Sequence, residues 1–393
     1  MSHPLVSHSP DLRRLQDEGY DIEIRSDHLV VRHIPYVTAE RAVAYGSLVS
    51  ELTTNGSATI RPGTHVAMFT GSIPHDHQGR PLDLILHERT ARQITEGLVA
   101  QCSFSSKPPE GYPDYHAKMT AYASILVGYA RAIDPAATAT TFPPVRISED
   151  TSAFRYLDSA SSRAGISAIT ARLKTGPVAI LGLGGTGSYI LDLVAKTPVE
   201  EIHLYDRDIF YTHNAFRAPG AASVGELDSS PKKVDYFRSR YDPMRRNIIA
   251  HPAHVGEDNV SELKDMSFVF LAIDAGPGKR FIIEKLEEFG VPFIDTGMGV
   301  LEKQGTLRGI VRVTASADGH RRHVWDGKRI SFADQEDDDY DRNIQTAELN
   351  MLSAALAVIK WKKICGFYAD LEHEYSITYT IDGNHVLNED HAE

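Results

Sequence analysis

The residues that could do chemistry begin in one short stretch. Val178-Ala179-Ile180-Leu181 is followed by Gly182-Leu183-Gly184-Gly185-Thr186-Gly187-Ser188. A periodic apolar segment with Ile190, Leu191, Leu193, Val194 and Ala195 comes next, then Ile202-His203-Leu204-Tyr205, which delivers Asp206 and Asp208. Glycine lets a backbone turn tightly and approach a phosphate with no side chain in the way, and a helix N-terminus presents free N–H groups to an anion. An acidic residue roughly 20 positions further on is placed for ribose hydroxyls. Nucleotide binding is the expectation, through Gly182, Gly184, Gly185, Gly187, Ser188, Asp206 and Asp208. The plainer alternative is a glycine run that only packs helix on strand.

The surrounding pattern must hold that turn. Lys232 to Tyr241 reads as helix, Ile248-Ile249-Ala250 as strand, and Phe268 to Ile273 as a strongly apolar strand ending at Asp274. Lys279 to Phe289 is an amphipathic helix, and Val291 to Ile294 a further strand reaching Asp295. Strands alternating with helices predict a mostly parallel, Rossmann-like sheet covered on both faces, an α/β class. Arg155 to Leu173 reads as a helix leading into this unit. Beyond it, Leu307 to Thr314 and Tyr375 to Ile381 read as strands, the latter closing the sheet, and Ile344 to Phe367 as a long helix. Its apolar stripe, Ala347, Met351, Leu352, Ala355, Leu356 and Ile359, suits either the core or a subunit interface. The acidic run Glu336-Asp337-Asp338-Asp339 reads as a solvated loop.

Residues 1–148 carry a pattern of their own. Tyr20 to Ile24, His28 to Arg32 and Thr64 to Phe69 read as strands, with Ser26-Asp27 as a turn, and Lys118 to Ile133 reads as a helix. The expected division is an α+β domain over 1–148 and a larger α/β domain over 149–393. With 393 residues, 42% hydrophobic and 24% charged, composition is that of an ordinary globular protein. No run reaches the roughly 18–20 apolar residues of a membrane span. Met1-Ser2-His3-Pro4-Leu5 lacks a charged-then-apolar leader, so a cytoplasmic location is expected. The net charge of −12, with no large basic cluster, argues against nucleic acid as a partner.

Beyond Asp208 the polar residues arrive in a recognisable order: Asn214 and Arg217, then Lys233, then Asp274 at a strand tip. With G-x-G-G-x-G-S at Gly182 to Ser188 and D-x-D at Asp206 and Asp208, residues 150–385 resemble the adenylating domain of the ThiF/MoeB and ubiquitin-activating-enzyme superfamily. The resemblance implies an enzyme that uses ATP with Mg²⁺ to adenylate the C-terminal carboxylate of a ubiquitin-like partner, typically ending in glycine. Two anions must then meet at the α-phosphorus, so fixed cations are required on the phosphates. Arg217 suits that task as a planar fork and Lys233 as a point charge, unless each is held by Asp228 or Asp235 instead. Asn214 can orient a phosphate oxygen or the incoming carboxylate, and Asp274 is the metal candidate. Members of the superfamily often add an arginine across a homodimer; Arg163 is the first match here and Arg155 the second.

Two departures shape the expected chemistry. No paired Cys-x-x-Cys motifs are present, so no structural zinc is expected. The crossover segment from Thr314 to Asn343 holds no cysteine; the chain has only Cys102 and Cys365, both read as buried inert thiols. The simplest chemistry stops at the acyl adenylate, and the acyl group passes to a thiol on a partner. His75, His77 and His87 lie near a His-x-His pattern that can bind metal but reads more plainly as a polar turn. Residues 1–148 resemble segments of unknown function placed ahead of bacterial ThiF-like domains, for which a conjugating-enzyme-like or partner-recruiting role is conceivable. A nicotinamide or flavin oxidoreductase, or a non-catalytic ATP-binding scaffold, remain alternatives.

Overall fold

The computed structural model describes residues 4–25, 27–56, 58–95, 97–144, 152–317, 319–332 and 344–391. The acidic run Glu336 to Asp339, the turn residue Ser26, the expected boundary at 148 and residues 318 and 333–343 of the crossover segment lie outside the described residues. Two compact units form the chain: Met1–Ser148 with Tyr156–Ala164, and Glu149–Arg155 with Gly165–Glu393.

The first unit is an α+β fold. Its strands β1 (Asp21–Arg25), β2 (His28–Val37), β3 (Val43–Glu51), β4 (Ala67–Phe69), β5 (Leu86–Glu88) and β6 (Cys102–Phe104) form one antiparallel sheet in the order β1-β2-β3-β4-β6-β5. Helix α1 (Tyr115–Arg131) starts at Asp114, whose side chain accepts from the Ala117 N–H at 2.7 Å. Met119, Tyr122, Ala123 and Leu126 of this helix pack with Leu29, Val31, Leu48, Phe69 and Phe104 in one core. The strand expected from Thr64 begins only at Ala67.

The second unit is a two-faced α/β layer. Strands β7 (Val178–Leu181), β8 (Ile202–Tyr205), β9 (Ile248–His251), β10 (Phe268–Leu271) and β11 (Phe293–Lys303) run parallel in the order β9-β8-β7-β10-β11. Antiparallel strands β12 (Thr306–Ser316), β13 (Ser376–Thr380) and β14 (His385–Glu389) extend the sheet from β11. Helices α2 (Gly185–Val194) and α5 (Ala347–Ile364) cover one face, and α4 (Pro277–Phe289) the other; α3 (Lys233–Tyr241) lies between β8 and β9 in the chain. The alternation of Ala179 and Leu181 with Val178 and Ile180 sends side chains into both cores, which is why the strands read as continuous apolar runs. Each parallel strand delivers its carboxyl end to the same edge, where Gly182, Asp206 and Asp274 follow β7, β8 and β10.

Three details depart from the expected elements. The helix expected over 155–173 is broken into Ser159–Arg163, Ser167–Thr170 and a 3-10 turn at Ala171–Leu173. Gly165, at φ +69°, takes the left-handed conformation between the first two, which no helix continues through. Strand β13 does not close the sheet, because β14 pairs beyond it. The expected stripe on α5 lies at the border of the core: Met351 and Ile359 are exposed, Ala347, Leu352, Ala355 and Leu356 are half-buried with Leu356 against the core, and the buried face is Leu349, Asn350, Ser353, Ala354, Ala357, Val358, Lys360 and Trp361.

Candidate functional site

The glycines of the turn divide by what surrounds them. Gly182 has φ +87°, and a Cβ there would stand 2.4 Å from the Ala272 carbonyl oxygen. A Cβ on Gly187 would stand 1.8 Å from the Gly182 carbonyl oxygen, and one on Gly185 would stand 2.0 Å from Asn350 Nδ2. Those three are held bare by the protein itself. Gly184 is different: nothing lies within 4 Å of its would-be Cβ. It precedes the first turn of α2, which has no side-chain cap. An uncapped helix N-terminus behind a bare, open backbone is an anion site. The Ser188 hydroxyl, expected among the phosphate contacts, is buried and donates to the Gly185 carbonyl at 2.8 Å.

Asp206 is buried at the end of β8. Its Oδ2 accepts from the Leu183 N–H at 2.7 Å and its Oδ1 from the Asp208 N–H at 2.9 Å, so it fixes the glycine turn to the next loop. Lys233, the first residue of α3, is buried and places Nζ 2.9 Å from Asp208 Oδ2 and 3.6 Å from Asp206 Oδ2. Its partners are therefore the D-x-D carboxylates, not Asp228 or Asp235. The bond from Lys233 holds the Asp208 carboxyl below the usual carboxylate range. Lys232, next to it, donates instead to the Arg207 carbonyl at 2.6 Å.

Asn214 is buried in the short helix Thr212–Ala215, and its Oδ1 accepts from the Tyr211 N–H at 2.9 Å. Its backbone carbonyl accepts from the Arg217 N–H at 3.1 Å. Arg217 Nε is buried and makes no hydrogen bond. A guanidinium N–H left without an acceptor inside a protein is costly, and a ligand anion is the natural acceptor. A residue absent from the sequence reading joins these parts. Asn350, fully buried in the first turn of α5, accepts from Thr186 Oγ1 at 3.0 Å and donates from Nδ2 toward the Arg217 carbonyl at 3.5 Å. Its signal in the sequence is an amide at the start of a long helix, on the same face as Ala354, Ala357 and Trp361.

Asp274 is exposed in the turn after β10, and Lys279 Nζ braces that turn by donating to the Ile273 carbonyl at 3.1 Å. Lys279 also lies 2.5 Å from Asp295 Oδ1, in a buried ion pair at the end of the parallel part of β11. Burial pushes the Asp295 carboxyl up, against the pull of Lys279 and Arg312. Among the described residues no group of three or more His, Cys, Asp or Glu could hold a metal. One exposed carboxylate fits Mg²⁺, which takes one or two carboxylates and completes its shell with water and substrate phosphates, and does not fit a protein-only cage.

The remaining expected residues sit elsewhere. Arg163 belongs to the first unit, with its guanidinium carbon 4.6 Å from the Phe142 ring centroid. Arg155 is bound to Asp242, Nη2 to Oδ1 at 3.0 Å. Cys102 is buried and Cys365 half-buried, and burial pushes both thiols up to about 11. His75 Nδ1 bonds to the Ile73 carbonyl at 2.8 Å, and Asp76 ties the turn through the Gln78 and Arg80 N–H groups, while His77 stacks on Tyr129. His87 lies in β5 and is exposed, so the His-x-His segment is a polar turn. No described helix is long and apolar enough to cross a membrane.

Parts of the chain are similar to known proteins. A search of curated proteins gives no match. Similar solved structures include E. coli MccB with MccA-N7isoASN, at 16% identity and TM-score 0.44, covering 57% of this chain and 67% of that one. E. coli MccB with ATP is similar at 15% identity and TM-score 0.43, with 57% and 67% covered. PaaA is similar at 17% identity and TM-score 0.43, with 57% and 75% covered. The chain thus spans about two thirds of the length of the MccB chains. Residues 10–159 match a domain of unknown function, DUF6791, and residues 160–345 match the ThiF family. Over residues 160–345 the chain is thus similar to the ThiF family.

Proposed function

We propose that the second unit adenylates the C-terminal carboxylate of a ubiquitin-like protein ending in glycine. The observation that carries this reading is the buried Arg217 Nε without an acceptor, linked through Asn350 to the open glycine turn. ATP is the substrate whose phosphates would take up both. The polyphosphate lies against Gly184 and the first N–H groups of α2, and Arg217 donates to it. Asp206 keeps a free lone pair on each oxygen for a ribose hydroxyl while it holds the turn. Lys233 shifts from Asp208 to a phosphate oxygen, a short exchange between two anions. Asn214 orients the incoming carboxylate or an α-phosphate oxygen.

A carboxylate oxygen of the partner then attacks the α-phosphorus. The bond from that phosphorus to the bridging oxygen breaks, and pyrophosphate leaves with the electron pair. Mg²⁺ held by Asp274 and the phosphates would supply neutralising charge. The mixed anhydride formed is attacked at its carbonyl carbon by a thiol of another protein, releasing AMP. Neither cysteine of this chain suits that step, since a thiol pushed up to about 11 is almost wholly protonated near neutrality. We assign residues 1–148 to recruiting that partner, a conjugating-enzyme-like protein, and residues 149–393 to adenylation, in a cytoplasmic homodimer whose sites are completed by Arg163 of the second copy.

Radiolabelled pyrophosphate exchange into ATP, measured with candidate ubiquitin-like proteins, tests the reading. Exchange that requires the partner's terminal carboxylate and is lost in Arg217→Ala and Asp274→Ala supports it. Exchange unaffected by both changes would sink it.

A further inference from the structure

Asn350 occupies a position that neither the glycine turn nor the arginine loop can fill from its own segment. It comes from the first turn of α5, far along the chain, and is fully buried. Its amide lies directly on Gly185, so closely that a Cβ on that glycine would be 2.0 Å from Nδ2 and 2.3 Å from Cγ. On one side Oδ1 accepts from the Thr186 hydroxyl at 3.0 Å. On the other Nδ2 reaches the Arg217 carbonyl at 3.5 Å. The two ends of the amide are not interchangeable, because one must accept and the other donate.

The two elements it joins are the ones expected to face the polyphosphate from different sides. Thr186 lies in the first turn of α2, whose N–H groups are uncapped. Arg217 has its N–H on the Asn214 carbonyl and its carbonyl toward Asn350, while its buried Nε has no hydrogen-bond partner. The backbone of Arg217 is therefore bracketed on both sides and its fork is left for a ligand. We propose that Asn350 is a positioning residue for the polyphosphate: its amide sets the spacing between the helix N-terminus and Arg217. This rests on the ATP reading above. It assigns to a residue of the distant helix a specificity for phosphate spacing that the motif residues do not supply alone.

The test uses the full-length chain and ATP itself. Equilibrium binding of ATP and the thermal midpoint without ATP are measured for wild type, Thr186→Val, Thr186→Ser and Asn350→Asp. Thr186→Val keeps the shape and removes the donor; Asn350→Asp keeps the acceptor, removes the donor to Arg217 and adds negative charge near the phosphates. Loosening one charge-assisted contact to a phosphate costs roughly tenfold in affinity, so a ~10-fold weaker ATP affinity is expected in both, with midpoints within a few degrees of wild type. Thr186→Ser, which restores the hydroxyl, should recover most of the loss. Wild-type binding with unchanged affinity in Thr186→Val and Asn350→Asp would overturn the inference alone. So would affinity losses that follow the loss of midpoint and are not recovered by Thr186→Ser. A wild type that binds no ATP would overturn the ATP reading and this inference with it.

Discussion

Replacing Arg217 by Met separates binding from stability in a single residue. The buried Nε without an acceptor is a liability in the free protein. An unsatisfied buried donor costs about 1–3 kcal/mol, and only part of this half-buried side chain is desolvated, so about 1 kcal/mol is appropriate. Met keeps the apolar stem and removes the orphan donor. For a unit of this size 1 kcal/mol corresponds to roughly 2–4 °C, so the midpoint without ATP should stay level or rise by up to ~4 °C. With ATP the order reverses. At a hundredfold excess over Kd, wild type gains about 2.7 kcal/mol, or roughly 5–10 °C. Losing two charge-assisted bonds of about 1.5 kcal/mol each weakens binding about 100-fold, which leaves a gain of only ~0.4 kcal/mol, about 1 °C. Thermal melts with and without ATP read both numbers. A midpoint without ATP that drops by more than ~3 °C would make Arg217 a structural residue, and an undiminished ATP shift would remove it from the site.

Four further outcomes follow from the same geometry. Gly187→Ala places a Cβ 1.8 Å from the Gly182 carbonyl and should lose 3 kcal/mol or more by about the measure of overpacking and backbone shift, whereas Gly184→Ala meets nothing within 4 Å and should melt within about 2 °C of wild type while binding ATP more weakly. With both thiols pushed to about 11, only ~0.1% is thiolate at pH 8; Cys102→Ser with Cys365→Ser should therefore leave pyrophosphate exchange intact, and a dithiothreitol-sensitive adduct on the wild type would refute this. Lys279→Met strands the Asp295 carboxylate in the interior and should destabilise the second unit by about 3–5 kcal/mol at pH 7, read by chemical denaturation. The Asp208 carboxyl is depressed in the folded chain, so its contribution is present above the unfolded value of about 3.9 and is lost as pH falls through the lower folded value; Asp208 is half exposed, so Asp208→Asn should lower stability by under ~1 kcal/mol at pH 7, with the difference shrinking as the pH is taken down through the acid range.

The parallel half of the sheet was legible because Val178–Leu181 and Phe268–Leu271 are buried on both faces and therefore read as unbroken apolar runs. The antiparallel extension was legible in part: Leu307–Thr314 and Tyr375–Ile381 match β12 and β13, whereas the reach of β11 and the whole of β14 were missed. Thr296-Gly297-Met298-Gly299 interrupts the apolar pattern of β11, and its reach to Lys303 is set by a tight hairpin at Gln304 and Gly305, both with positive φ. The Gln-Gly pair was the available signal. All but the last residue of β14 is exposed, so it carried no burial pattern to detect. The site motifs were visible as residue types in order, but their division of labour was not. Nothing in a G-x-G-G-x-G-S run says that Gly187 packs against the turn while Gly184 faces open space. Asn350 was hidden for a different reason: its partners lie on segments far from it in sequence, and only the packing of α5 on α2 brings them together.

In the proposed reaction a carboxylate oxygen of the partner attacks the α-phosphorus of ATP. The most direct measurement is the fate of ¹⁸O placed in both oxygens of the partner's C-terminal carboxylate. After ATP and a thiol acceptor are added, the released AMP is analysed by mass spectrometry. Attack at the α-phosphorus predicts one labelled oxygen in AMP and pyrophosphate without label. Unlabelled AMP, or label found instead in inorganic phosphate alongside ADP, would contradict adenylation by this site.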